Sequence, residues 1–186
     1  MPPKCKIDRE QIQAAALELV RQGGESALNA RAIAAALGCS TQPVFSHFHT
    51  MEELRAAVVE AAGAVYARLV EEVTATGAYP PYKATGMAYI RFAAEERELF
   101  RLLFMRDRQG ETPVGDGALE PLYRLIQEQC GVDRETAQLF HLEMRGFVHG
   151  IAAMTVTGYH PVAEELASRM LTDVFTALTW RFGRKE

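Results

Sequence analysis

Several protein classes are excluded by features that this sequence of 186 residues lacks. No stretch approaches about 18 uninterrupted apolar residues, so we expect no transmembrane helix. The segment from Met1 to Asp8 has no apolar run of the signal-peptide kind, and we therefore expect no secretion signal. Cysteine is scarce, and Cys5, Cys39 and Cys130 are too widely spaced for a zinc site or a disulfide framework. These absences predict a cytoplasmic protein with no membrane association.

A strong charge of one sign is also missing. The net charge is −4, which argues against a protein that binds nucleic acid through bulk charge. The distribution is uneven, because residues 1–50 carry five Lys or Arg against four acids. Lys4, Lys6 and Arg9 lie in one short stretch, which fits either a solvated tail or a phosphate-binding segment.

Catalytic and metal-binding motifs are absent as well. The sequence holds no nucleophile elbow, no Gly-rich phosphate loop and no His-Glu-x-x-His zinc motif. Its Glu pairs, such as Glu52–Glu53, are adjacent, so their side chains diverge on a helix. His141 and His149 are about 12 Å apart along a helix, which is too far to share one metal ion readily. We therefore predict a protein that is not an enzyme and that needs no cofactor and no metal.

What the sequence does contain is helical periodicity along its whole length. Apolar residues recur every three or four positions, as in Ile12, Ala16 and Leu19, and no segment alternates with period two over a useful length. The pattern predicts an all-α fold of about nine helices. Four helices lie before the break at Gly77–Pro81, and five follow at about 82–96, 97–106, 118–130, 134–157 and 161–182.

Short polar residues just before the apolar stripes predict where the first helices begin. They are Asp8 and Thr50, each with a capping-box partner three residues later, together with Asn29 and Ser40. Gly38 lies between the second and third helices and can take the left-handed conformation of a tight turn. Two short helices around such a turn, packed on a first helix, describe a helix-turn-helix unit.

The stretch from Asn29 to Leu54 resembles the DNA-binding signature of TetR-type transcriptional regulators. The resemblance is strong over residues 7–55 and implies a helix-turn-helix DNA-binding domain at 1–50 and a helical ligand-binding and dimerisation domain at 51–186. The shared motifs are an Ile-Ala pair, a Gly-x-Ser turn, an aromatic-x-His-Phe block and a Glu-Glu-Leu run. In this chain they stand, without a gap, as Ile33–Ala34, Gly38–Ser40, Phe45–Phe48 and Glu52–Leu54.

The resemblance implies that the third helix enters the major groove of a double-stranded DNA operator. Thr41, Gln42 and Ser46 occupy its outward side, and Gln42 is the best candidate for reading a base, because an amide can bond the edge of adenine. The other candidates are expected at phosphates or helix ends. The predicted DNA-binding residues are Lys4, Lys6, Arg9, Asn29, Arg31, Ser40, Thr41, Gln42, Phe45, Ser46, His47, Thr50 and Met51.

Two positions depart from the family pattern. Members often carry Tyr where Phe45 stands and Lys where Met51 stands, and both are implicated in holding phosphate oxygens. Phosphate contacts determine how steeply DNA affinity falls with salt. We therefore expect a shallower salt dependence than in a relative with Tyr and Lys, with Lys4, Lys6 and Arg9 compensating. The departures also leave open a helical adaptor or sensor of the same fold that has lost sequence-specific DNA binding.

The C-terminal part resembles one ligand-binding subgroup of the family. Val148–Gly150 is similar to its valine-histidine-glycine turn, although Arg145 stands where the subgroup usually has Trp. The resemblance implies a small-molecule effector among helices four to eight, and a lining of aromatic and Met side chains suits a hydrophobic or amphipathic one. Simple core packing is the alternative for the same side chains. The predicted lining residues are Met87, Phe92, Phe100, Phe104, Met105, His141, Met144, Phe147, His149 and Met154.

One recognition helix covers only a few base pairs, so specific binding needs two copies on a near-palindromic site. The resemblance and the wide apolar faces of the last two helices predict a homodimer that pairs through those helices. The alternative is that these faces bury the core of one chain. They consist of Ala137, Phe140, Met144, Phe147, Val148 and Ile151, followed by Leu166, Met170, Val174 and Leu178. The sequence as a whole predicts a ligand-responsive transcriptional regulator, most simply a repressor.

Overall fold

The computed structural model describes residues 7–107 and 116–183. Within these ranges the chain forms nine α-helices and no strand, which confirms the all-α prediction. A 3-10 turn at Glu25–Ala27 precedes the second helix, and the sixth helix continues into a π-helical turn at Arg101–Met105. The helices are α1 Arg9–Gly23, α2 Ala30–Ala36, α3 Gln42–His47, α4 Met51–Ala75, α5 Pro81–Glu95, α6 Arg97–Phe100, α7 Asp116–Cys130, α8 Arg134–Thr157 and α9 Glu164–Phe182.

Polar caps fix the starts of α1 and α2. The predicted capping box at α1 is present, since the Asp8 carboxylate accepts from the Gln11 amide at 2.8 Å and the Gln11 side chain accepts from the Asp8 amide at 3.0 Å. At α2, the side-chain oxygen of Asn29 accepts from the amide of Ala32 at 2.9 Å. Each bond satisfies an amide that has no partner within the helix.

The turn between α2 and α3 differs from the prediction in one respect. Gly38 has φ of +63°, the left-handed conformation that the turn was expected to need. The predicted cap at Ser40 is wrong, because α3 begins two residues later, at Gln42. Thr41, directly before the helix, has a helical backbone with φ of −73° and makes no side-chain cap bond. Pro43 lies in the first turn, where a missing amide hydrogen costs nothing.

The start of α4 realises half of its predicted capping box. The Thr50 hydroxyl accepts from the amide of Glu53 at 3.1 Å, as expected. The Glu53 carboxylate, however, accepts from the amide of His49 at 2.9 Å rather than from that of Thr50. This bond, followed by one from Arg9, lowers the pKa of the Glu53 carboxyl below its usual value of 4.5.

The chain packs as two compact units, and the predicted division into functional domains at residue 50 stays a prediction. Of the described residues, 7–67 and Glu96–Arg106 form the first unit, and Arg68–Glu95, Asp107 and 116–183 form the second. The helix α6 therefore packs with the N-terminal helices, although it lies far from them in sequence. One reason is an ion pair in which Arg21 of α1 donates to the Glu96 carboxylate at 2.8 Å.

Each unit has its own apolar core. In the first unit, side chains from α1 to α4 and from α6 are fully buried, among them Ile12, Ile33, Val44, Phe48, Leu54, Val58 and Leu99. In the second unit, α5, α7, α8 and α9 surround a cluster that includes Met87, Ile90, Tyr123, Ile126, Phe140, Met144, Ile151 and Leu171. None of the helices in the described ranges is long and apolar enough to cross a membrane.

The core of the second unit corrects one expectation about α8. Five of the six side chains that we placed on its pairing face are buried within their own chain, and Phe147 is partly buried. These side chains therefore bury the core of their own chain, which was the alternative to pairing, because a side chain already packed in the core has no surface left for a partner. The five are Ala137, Phe140, Met144, Val148 and Ile151.

Candidate DNA-binding and ligand-binding sites

The outward edge of α3 is the candidate surface for reading DNA. Gln42, Phe45 and Ser46 are exposed, whereas Val44 and Phe48 on the opposite side fill the core of the first unit. Phe45 keeps 48% of its surface exposed, which is unusual for an aromatic side chain of this size. The Ser46 hydroxyl donates to the carbonyl oxygen of Gln42 at 2.9 Å, so its oxygen remains available as an acceptor. This edge presents both polar and apolar groups to solvent.

Arg9 holds the C-terminal end of α3 in place. Its Nη1 donates to the carbonyl oxygen of His47 at 2.6 Å and to the Glu53 carboxylate at 3.1 Å. Its guanidinium carbon also lies 4.0 Å from the ring centroid of Phe48, within the range of a cation–π contact. Arg9 was predicted as a phosphate contact, and the structure gives it an additional task within the first unit. Its predicted DNA contact stays a prediction.

His47 joins the same end of α3 to the start of the chain. Its Nε2 lies 3.0 Å from the carbonyl oxygen of Ile7, which places a hydrogen on that nitrogen. The phosphate contact predicted for His47 stays a prediction. The contact fixes the backbone at Ile7, the first described residue. Lys4 and Lys6 precede it and lie outside the described residues.

The other predicted DNA-binding residues are spread over the turns and helix starts of the first unit. Asn29, Arg31, Ser40 and Thr50 are exposed, and Thr41 and Met51 are partly buried. The side chains of Asn29 and Thr50 each accept from an amide of the helix that follows, so both contribute to folding as well as to any DNA contact.

Three ion pairs lie on the surface of the first unit. Glu25, in the 3-10 turn, pairs with Arg55 of α4, and Arg21 of α1 pairs with both Glu18 and Glu96. The bond to Glu96, ahead of that to Glu18, raises the pKa of the Arg21 guanidinium. These pairs lie around α1, against which α2 and α3 pack.

In the second unit, two Tyr–His pairs link α5 to α8. The Tyr82 hydroxyl lies 3.0 Å from His141 Nδ1, and the Tyr89 hydroxyl lies 2.9 Å from His149 Nδ1. The two tyrosines are about two turns apart on α5, and the two histidines are about two turns apart on α8. Because the earlier tyrosine pairs with the earlier histidine, the two helices run in the same direction. Each histidine therefore has its own partner.

His141 and Tyr82 lie within a cluster of aromatic rings. The His141 ring centroid is 6.0 Å from that of Tyr82 and 5.7 Å from that of Tyr123, both edge-to-face. Phe140 and Phe175 also pack against Tyr82, at centroid distances of 6.4 and 5.9 Å. Burial raises the pKa of Tyr82, and burial followed by the charge of Arg145 lowers the pKa of His141 below 6.5. Both side chains are therefore uncharged at neutral pH.

The structure divides the predicted ligand-lining residues between the two units. Phe100, Phe104 and Met105 belong to the first unit, where Phe104 stacks on Phe100 at 5.1 Å and edge-on to Tyr66 at 5.4 Å. Met105 is exposed. The other seven lie in the second unit, and four of them share one core cluster: Met87, Met144, Phe147 and Met154.

Large apolar side chains remain exposed on α8 and α9. On α8, Leu142 keeps 65% of its surface exposed, and Leu139 lies one turn before it. Gly146 and Gly150 continue the same face, and a Cβ added at either would meet no atom within 4 Å. On α9, Trp180 keeps 80% of its surface exposed, about four turns after the exposed Leu166. Contiguous apolar patches, unlike single exposed side chains, mark interaction surfaces on soluble proteins.

Comparisons with known proteins decide the family. Residues 12–58 match bacterial regulatory proteins of the tetR family, and residues 82–175, about half of the chain, match the tetracyclin repressor-like C-terminal domain. The chain belongs to the TetR family. Among curated protein sequences, no match was found.

Solved structures share the fold of this TetR-family chain. A TetR-like transcriptional regulator from Rhodococcus sp. RHA1 is 17% identical, with a TM-score of 0.65 over 97% of each chain. A member of the TetR family from Streptomyces coelicolor A3 is 23% identical, with a TM-score of 0.61 over 89% of this chain and 96% of the other. The multidrug binding protein EbrR in complex with malachite green is 22% identical, with a TM-score of 0.61 over 92% and 98%.

Sequence reasoning missed two features of this TetR-family chain. It did not pair His141 and His149 with Tyr82 and Tyr89, although all four fall on matching helical intervals of α5 and α8. It also treated Arg9 only as a phosphate contact, because nothing in the order of residues indicates that its guanidinium stacks on Phe48, which is far away in sequence.

Proposed function

We propose that this TetR-family chain is a cytoplasmic transcriptional repressor whose homodimer binds a near-palindromic operator and is released by a small hydrophobic or amphipathic effector. The observation that carries the DNA-binding half is the edge of α3, where Gln42, Phe45 and Ser46 face solvent above a buried core. Gln42 supplies an amide for an adenine edge, and the ring of Phe45 suits the methyl group of thymine.

The anchoring of α3 supports this role. Sequence readout needs a recognition helix held in one orientation, and the Arg9 contacts to His47, Phe48 and Glu53 restrain its C-terminal end. Backbone amides at the starts of α2 and α4 add sites at which phosphates can bind.

The exposed surface of α8 and α9 supports the homodimer. Leu139 and Leu142 lie on the same face as Gly146 and Gly150, where the absence of Cβ atoms permits the close approach of another helix. We propose that this face, with Leu166 and Trp180 of α9, pairs with its symmetry mate in a four-helix arrangement. This exposed face takes the place of the pairing face first predicted for α8, whose side chains are buried in the core of the chain.

The aromatic cluster of the second unit supports an effector site. A structure of EbrR with malachite green, and another with proflavin, shows that a protein of this fold holds flat aromatic molecules. We propose that an effector in this chain displaces α4, because that helix contributes residues to both compact units, Met51–Ala67 to the first and Arg68–Ala75 to the second.

A DNA-binding titration tests the proposal. The dimer should retain a DNA fragment from the promoter region upstream of its own gene against an excess of unrelated DNA. Repeating the titration at several salt concentrations tests the expected shallow dependence, and replacing Lys4 and Lys6 by Ala should make it shallower still. A steep slope that persists in that variant contradicts the compensation by these lysines.

A helical adaptor of the same fold is the second candidate. It is favoured by Phe45 and Met51, which lack the hydroxyl and the ammonium found at these positions in many relatives. If no fragment is retained even at low salt while the protein remains folded and dimeric, the adaptor is the better description.

A further inference from the structure

One buried polar atom of the second unit has no partner. His141 Nδ1 bonds to the Tyr82 hydroxyl, but Nε2 on the other side of the ring is closed off from solvent and forms no hydrogen bond with any residue that the structure describes. Buried polar groups in native proteins are nearly always satisfied, so an exception calls for a physical explanation.

The Tyr82 contact determines which hydrogen the His141 ring carries. If the hydroxyl donates to Nδ1, the neutral ring holds its hydrogen on Nε2, and that N–H is the one group without a partner. In the other tautomer Nδ1 donates to the hydroxyl oxygen, and then both the Tyr82 hydrogen and the Nε2 lone pair lack partners. The first arrangement leaves fewer groups unsatisfied, so Tyr82 fixes Nε2 of His141 as a hydrogen-bond donor.

The surroundings of this donor are aromatic and contain no acid. The rings of Tyr82 and Tyr123 lie edge-to-face with the His141 ring at centroid distances of 6.0 and 5.7 Å, and Phe140 and Phe175 pack in turn against Tyr82 at 6.4 and 5.9 Å. Among the described residues no Asp or Glu side chain is buried. The charge that acts on His141 is the positive one of Arg145. An aromatic cation here would have no counter-charge, whereas an acceptor atom would meet a ready donor.

We propose that Nε2 of His141 is the hydrogen-bond donor of the effector site, that Tyr82 is its positioning residue, and that the effector is a flat, uncharged aromatic molecule bearing an acceptor such as a ring carbonyl. This rests on the proposed function, in which a small molecule binds the second unit. It also separates this chain from EbrR, whose structures hold malachite green and proflavin.

The unpaired donor also couples effector binding to a change of conformation. Nε2 is enclosed, so a ligand reaches it only when neighbouring side chains move, and Met144, one turn further along α8, has the flexible side chain for this. The unliganded arrangement bears the cost of an unsatisfied N–H, and an acceptor removes that cost. A ligand with this group therefore stabilises the rearranged state over the closed one.

Acridone and proflavin form a matched pair of probes. Both have three fused rings, but acridone is neutral with a ring carbonyl, and proflavin is a cation at neutral pH. We expect the full chain to bind acridone at least about tenfold more tightly in a fluorescence titration. His141→Phe should weaken acridone binding about three- to tenfold, the value of one hydrogen bond, and leave proflavin unchanged. Tighter binding of proflavin overturns the proposal.

Further variants separate the donor from its support. His141→Gln keeps an N–H donor and should restore part of the acridone affinity, which a merely structural role for the imidazole does not predict. Tyr82→Phe removes the hydroxyl that fixes the hydrogen of His141 on Nε2, and it should cause a loss of acridone affinity smaller than that of His141→Phe. His160→Phe, at an exposed histidine, is the control and should change nothing. Equal acridone affinity in the His141→Phe variant and the native chain overturns the assignment, with circular dichroism showing that each variant is folded.

A parallel DNA titration distinguishes failure of the effector assignment from failure of the proposed repressor function. If the chain binds its promoter fragment but not acridone, the effector assignment fails and the proposed repressor stands. If it binds acridone through His141 but retains no DNA, the ligand site stands and the repressor fails.

Discussion

The guanidinium of Arg9 lies 4.0 Å from the centre of the Phe48 ring, which brings the first residue of α1 against the residue that ends α3. Phe48 is almost fully buried, so the charge of Arg9 covers an aromatic face that would otherwise meet solvent. The same guanidinium donates to the carbonyl oxygen of His47 at 2.6 Å. The side chain of Arg9 therefore caps the C-terminal end of α3 and attaches it to α1.

Replacing Arg9 with Ala should lower the free energy of unfolding by about 1 kcal/mol, because the cation–π contact and a carbonyl bond are lost. Arg9→Lys keeps the charge but not the flat, forked geometry, and it should recover only part of this loss. Urea unfolding monitored by circular dichroism measures both. Arg31→Ala, at an exposed position with no such stacking, is the control. If Arg9→Lys were as stable as the native chain, the stacking of the guanidinium on Phe48 would contribute nothing to the free energy of unfolding.

Replacing Gln42 with Ala should reduce discrimination at one base pair of the operator half-site by about 1–3 kcal/mol. The reason is that the amide is exposed at the start of α3, where it can bond a base edge. Competition with operators changed one base pair at a time measures the effect. Arg31→Ala should instead weaken all sequences equally, as the loss of a phosphate contact does. A uniform loss for Gln42→Ala contradicts base reading.

Replacing Leu142 with Glu should give a folded monomer. Leu142 is 65% exposed on α8, so a charge there costs one chain little but disrupts an apolar pairing surface. Sedimentation velocity measures the oligomeric state, and Gln129→Glu on the exposed side of α7 is the charge-matched control. Phe140→Ala should behave differently, losing about 3–5 kcal/mol of stability, because Phe140 fills the core. A Leu142→Glu variant that remains dimeric places the interface elsewhere.

The local features of the fold could be predicted from the sequence, whereas the long-range ones could not. The helices, the Asp8 and Asn29 caps and the Gly38 turn depend on neighbours within a few residues, and the structure contains them. The packing of α6 with α1 through Glu96 and Arg21 depends on contacts between distant segments. The apolar stripe of α8 was ambiguous for the same reason, since a core and an interface require the same side chains.

Lowering the pH below about 6.5 should destabilise the protein through His141. Burial, with a smaller contribution from Arg145, lowers its pKa in the folded state, while the unfolded chain keeps the ordinary value of 6.5. The rings of Tyr82 and Tyr123 face it from α5 and α7, and burial raises the pKa of Tyr82, so this hydroxyl carries no negative charge that would offset the burial of His141. Between the two pKa values the unfolded state binds more protons, so stability is complete above 6.5 and is lost as the pH falls towards the folded value.

Thermal unfolding from about pH 7.5 to about pH 5.5 isolates this histidine. Glu18, Glu53 and Asp133 have pKa values below their ordinary 4.5, 4.5 and 3.8, so the stability that they contribute is lost only at lower pH. His141→Phe should therefore flatten the melting temperature across this range, whereas His160→Phe should keep the native slope. A slope of equal size in the native chain and in His141→Phe would show that another group titrates, and the unpaired Nε2 would then have no bearing on the stability of the closed state.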